Sequence, residues 1–268
     1  MTTLGWIAIN GFREAVRDKV MYSLVAFAIL LIGVSYILGQ LTAGQDLKIM
    51  KDLGLSSIAI FGLFMAVFIG IGLVSKEVER RSVYSLLAKP VTRADIVLGK
   101  YLGLVLTLVV NVTVMTVALY AVLAYVGWEE NAFAKIARES QPLDPAMLKA
   151  VALTLVQLMM VTATAVFFST FSTPILSAAL TLGVYVAGFF SADLRNFDQV
   201  VNSTAVVALA RGMYYVLPNL GSFDVTAQVV HGIPIGWRYI AVTSAYGLTY
   251  IGILLVISAA IFSRRDFK

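Results

Sequence analysis

The sequence predicts an all-α integral membrane protein, and three observations carry that prediction. Hydrophobic residues make up 60% of the 268 positions and charged residues 13%, against roughly 45–50% and about 25% in soluble domains. Mean hydropathy is +0.89. The charges that do occur separate five long uncharged runs, at residues 20–45, 53–75, 101–128, 150–192 and 239–263. A membrane crossing takes roughly 20 apolar residues as a helix, and none of these runs alternates as a barrel strand would.

The elements follow in chain order. Within residues 5–19, Trp6, Ile9, Phe12 and Val16 recur at helical spacing, with Asn10, Arg13, Glu14, Arg17 and Asp18 mostly on the other side. That pattern predicts an amphipathic helix lying in the membrane interface. Spans are expected at 20–41, 54–75 and 101–126. The run at 150–192 is too long for one crossing, and Ser169-Thr170-Phe171-Ser172-Thr173-Pro174 divides it. Its hydroxyls offer caps, and Pro174 suits the first turn of a new helix. Spans are therefore expected at 149–170 and 174–191, with a sixth at 239–262. All six belong to a single transmembrane domain over 1–268.

Three segments lie between spans. Residues 76–89 have helical spacing with Val83, Leu86 and Leu87 as an apolar ridge, and Pro90 stops them. Thr92-Arg93-Ala94-Asp95 then opens the next helix as a capping pattern. The product is a cytoplasmic helical hairpin suited to docking another protein. Residues 127–148 are acidic and turn-rich, with a short helix expected around 131–140. Residues 199–217 are moderately apolar, interrupted by Arg211 and closed by Pro218, which suits an outer re-entrant or surface helix. The lone His231 in this region reads as a surface residue.

Charge sets orientation. The termini and the even-to-odd loops carry twelve Lys and Arg against six Asp and Glu; the opposite side carries eight against nine. By the positive-inside tendency both termini are cytoplasmic. The net charge of +5 therefore speaks to topology rather than to nucleic acid.

Several chemistries are disfavoured. There is no cysteine and a single histidine, so thiolate sites and multi-histidine metal sites are out of reach. No G-x-S-x-G, H-E-x-x-H or G-x-x-x-x-G-K-[ST] occurs, so neither a serine or zinc hydrolase nor an ATPase is expected in this chain. Apart from Lys149 at the very start of one, no expected span holds Asp, Glu, Lys, Arg or His, which disfavours a proton-coupled carrier. The strongest polar groups within the spans, Asn111 and Gln157, are candidate pathway residues. Ala179, Gly183 and Ala187, at i, i+4 and i+8, are candidates for close helix packing or a dimer contact.

Residues 77–103, EVERRSVYSLLAKPVTRADIVLGKYLG, resemble the cytoplasmic segment of ABC-2 type permeases, the membrane subunits of one branch of ABC transporters. Glu79, Leu86, Leu87, Pro90, Val91, Thr92, Arg93, Gly99 and Lys100 match the family pattern, whereas Arg81-Ser82 stand where it has Gly-Thr. Leu217-Pro218-Asn219-Leu220 and the ending at 262–267 are also similar to the family. The resemblance implies two such subunits, identical or paired, forming a pathway above two separate ATPase subunits that bind ATP and magnesium; this chain would hold no cofactor. It also implies that residues 76–89 act as a coupling helix, with Glu79, Arg80, Arg81, Tyr84, Leu86, Leu87, Pro90 and Arg93 facing the ATPase. Localisation in the cell membrane and an export direction follow from the same resemblance. The alternatives are an ATPase-coupled anchor without export of its own, and a secondary carrier or channel.

Overall fold

The computed structural model describes residues 3–41, 46–80, 93–129, 143–194 and 204–264, and every element among them is helical. The order is α1 (Thr3–Val16), α2 (Lys19–Gln40), α3 (Asp46–Arg80), α4 (Arg93–Glu129), α5 (Ala146–Ser169), α6 (Pro174–Phe189), α7 (Ser191–Leu194), α8 (Thr204–Val216), α9 (Thr226–Val230) and α10 (Trp237–Arg264). Five of them, α2, α3, α4, α5 and α10, are long and apolar enough to cross a membrane.

Local chemistry explains the boundaries. Asp18 separates α1 from α2, its carboxylate accepting from the Val20 amide at 3.1 Å. The expected Ser/Thr break holds: α5 ends at Ser169, Thr173 is extended, and Pro174 opens α6. Asp144 accepts from the Ala146 amide at 2.8 Å and so caps α5.

The bundle is layered by burial. In α5 and α3, 67% and 61% of the most apolar window is buried, against 22% in α2 and 33% in α10. Hence α5 and α3 form the centre, α5 packing on α3, α4, α6 and α10, while α2 and α10 leave broad apolar faces outward. In a bilayer such faces meet lipid at no cost.

The fifth expected span, 174–191, opens at Pro174 as read, and α6 closes two residues sooner at Phe189, about 24 Å of helix. Its apolar sequence continues, yet the helix stops where another strand of chain crosses it. The Leu220 amide donates to the Gly188 carbonyl at 3.0 Å, and a Cβ on Gly188 would lie 2.8 Å from the Pro218 carbonyl. Residues 76–80 are helical, as expected, and continue α3 without a break to Arg80, since Lys, Glu and Arg favour helix; the rest of the expected 76–89 helix lies outside the described residues.

The outer segment after α6 climbs along α10. The Tyr250 hydroxyl donates to Val216 O at 3.1 Å, the Asn219 amide to the Tyr246 hydroxyl at 3.0 Å, and the Tyr239 hydroxyl to Ser222 O at 2.6 Å. Tyr250 lies about 20 Å along α10 from its outer end. The chain therefore dips to the level of Tyr250 at Val216 and rises again to the level of Tyr239 at Ser222. α6 fills one part of this column and residues 216–222 the other, so the chain re-enters the bundle here rather than running over its end.

Candidate functional site

One end of the bundle is built on α1, α3 and α4. Glu79 and Arg80 lie in the last turn of α3, and Arg93 is the first residue of α4. Arg81, Tyr84, Leu86, Leu87 and Pro90 fall outside the described residues, as does the helix expected around 131–140. α1 is packed directly onto the base of α4. A Cβ on Gly103 would lie 2.5 Å from the Ala8 carbonyl and 3.0 Å from the Phe12 amide nitrogen; one on Gly99 would lie 2.8 Å from Ile7 Cβ. Backbone meets backbone here because glycine has no side chain to hold the helices apart. The signal was present as Gly99-x-x-x-Gly103, yet the hydrophobic stripe of α1 pointed elsewhere. Trp6, placed on that stripe, is exposed at 63%, and the residues turned to α4 include Gly11 and Ala15, both buried. Thus α1 packs against the helix that follows residues 81–92 in the chain.

At mid-bundle, Gln157 is buried and its amide donates to Leu220 O at 3.2 Å. Together with the bond to Gly188, this ties both backbone groups of Leu220, so Gln157 holds the re-entrant segment in place. Asn111 is half-buried on α4 and is not brought together with Gln157 by any described bond. On α6, Ala179 and Gly183 are exposed, Ala187 is half-buried, and an added Cβ on Gly183 would meet nothing within 4 Å. Within the chain this small-residue stripe is open.

One constellation escaped the sequence reading. Because α3 begins at Asp46 rather than near residue 54, Lys51 lies inside the helix and is completely buried. Its ammonium stands 3.7 Å from the Asp144 carboxylate and has no hydrogen-bond acceptor among the described residues. Asp144 O also accepts from the Tyr120 hydroxyl at 2.9 Å. One turn thereby joins the outer ends of α3, α4 and α5. Lysine counted as a loop charge offers no sequence signal of burial, so only packing places it. His231 is exposed, as expected.

Five helices long and apolar enough to cross a membrane define a multi-pass integral membrane protein. The family model described as ABC-2 family transporter protein matches residues 5–267, and the chain belongs to that family. It is thus a membrane permease subunit of an ABC transporter. No curated protein matches it.

Proposed function

We propose that this chain exports its substrate as one of two permease subunits, driven by separate ATPase subunits bound at the cytoplasmic segment between α3 and α4. The family match over residues 5–267 carries the reading, since members work with an ABC ATPase. The packing of α1 on Gly99 and Gly103 supports it mechanically. A push on residues 81–92 would be delivered to α4 and α1 as one body, and from α4 to the central helix α5. Residues 76–89 act as the coupling helix in this reading, with Leu86 and Leu87 seated in the ATPase and Glu79, Arg80, Arg81, Tyr84, Pro90 and Arg93 around them.

Both termini face the cytoplasm, the chain sits in the cell membrane, and ATP and magnesium are bound by the partner rather than here. Catalysis of hydrolysis belongs to that partner as well. The open stripe of Ala179, Gly183 and Ala187 on α6 is the contact with the second permease. Co-purification in mild detergent tests the assembly. A stoichiometric nucleotide-binding subunit is expected, and Leu86→Asp with Leu87→Asp is expected to release it. Retained binding and ATPase activity in that double variant would overturn the placement. Substrate-stimulated ATPase activity in liposomes distinguishes export from an anchoring role, and nucleotide-free flux would instead indicate a carrier or channel.

A further inference from the structure

We infer that the outer half of the α4/α5 interface is a binding groove for one hydrocarbon chain of an outer-leaflet lipid. The groove has a volume of about 660 Å³, within the usual range of small-molecule sites. Val112, Thr116 and Tyr120 of α4 face Leu148, Val151 and Leu155 of α5 across it. No charged side chain lines it. Its hydroxyls are already committed: Thr113 donates to Val109 O at 2.7 Å, Thr116 to Val112 O at 2.7 Å, and Tyr120 to Asp144 O at 2.9 Å. A polar ligand would leave its own donors and acceptors unmatched here, at a cost that an alkyl chain does not incur.

Position and size select the occupant. The α4 wall runs from Val109 to Ala124, about 22 Å of helix, enough to span one leaflet of roughly 15 Å. The outer end lies at Leu143 and Leu148, both half-exposed. The next residue, Lys149, donates to Ile235 O at 2.9 Å and sits 4.8 Å over the Trp237 ring, an arrangement typical of the membrane–water interface. A chain can therefore enter at headgroup level and run inward. A helix from a second copy, about 10–12 Å across, would displace more than twice the groove's volume over the same length. Left empty, the groove would forfeit the dispersion contacts of its buried floor, Val112 and Val151. This inference rests on the membrane-spanning fold and, for the choice of leaflet, on the proposed orientation, and not on the transport reading.

The test is photolabelling of the full chain in nanodiscs containing a phospholipid with a diazirine on its acyl chain, with label sites mapped by mass spectrometry. Labelling is expected to concentrate on residues 109–124 and 148–155, well above the exposed lipid face of α2 at Phe27, Leu30 and Ile37. Ala121→Trp fills the groove from α4 and should reduce its labelling to the α2 level. Ala152→Trp does the same from α5 and serves if the first variant misfolds by circular dichroism and gel filtration. Equal labelling of groove and α2, or labelling unchanged in a folded filled variant, would mean annular lipid only and overturn the site. A disulfide between copies formed by Val117→Cys, in a chain that otherwise has no cysteine, would assign the groove to a second subunit and also overturn it.

Discussion

The base of the bundle and its outer half are built on opposite principles. At the base, α1 and α4 meet through Gly99 and Gly103 with backbones almost touching. In the other half, residues 216–222 are attached to α5, α6 and α10 by separate hydrogen bonds, donated by Gln157, Tyr239 and Tyr250 and accepted by the Gly188 carbonyl and the Tyr246 hydroxyl. Close packing resists small displacements because the whole interface must part together. Individual hydrogen bonds, each worth about 1 kcal/mol net, can be exchanged one at a time. The base is thus suited to transmit force, and the outer column to rearrange.

That contrast can be broken from the base upward. Gly103→Leu is expected to have the largest effect, about 3 kcal/mol or more of destabilisation, because the new side chain meets backbone that cannot yield. Thermal unfolding and protease access to α1 would report it, and an undisturbed α1 would refute the rigid-unit description. Asp144→Asn comes next, leaving the buried Lys51 ammonium without its counter-charge. A complete burial of such a pair would cost about 3–5 kcal/mol on losing one partner, and the partial exposure of Asp144, 24%, lowers that. Adding Lys51→Met should recover most of the loss, since the uncompensated charge is then gone. No recovery in the double variant would mean that Lys51 has another role.

Gln157→Leu follows, at about 1 kcal/mol, for it removes one of two donors to the buried Leu220 carbonyl, the Phe223 amide at 3.1 Å remaining. Its further consequence is specific: amide hydrogen exchange within 216–222 should accelerate while residues 99–108 stay protected. Uniform acceleration across both regions would erase the distinction between them. Tyr246→Phe should be mildest, about 1 kcal/mol or less, with the change confined to the Asn219 amide.

Much of this architecture was legible beforehand. Long uncharged runs mark membrane helices because a charge in hydrocarbon is costly, and the Ser169–Pro174 break is readable since proline and hydroxyl caps act locally. Less legible was the end of α6, whose composition stays apolar through Phe190 while its termination depends on residues thirty positions later. Lys51 could not be read as buried, since lysine near a span end is ordinarily solvated. The Gly99-x-x-x-Gly103 spacing was visible, but a small-residue pattern names no partner, and the amphipathic stripe of α1 suggested a different packing face. The match to the ABC-2 cytoplasmic pattern identified the family; most of the ridge it points to, Tyr84 to Pro90, lies outside the described residues, so its mechanical role stays with the proposal.

By itself, the sequence determined the membrane as solvent, five membrane-length helices, a helix ahead of the first of them and the family, because hydropathy, capping and a short motif are local properties of the chain. Tertiary structure alone decided that α6 stops short, that residues 216–222 complete its column, that α1 rides on α4 and that Lys51 meets Asp144. Each of those depends on contact between residues distant in sequence, and free energy of packing is settled only when both partners are in place.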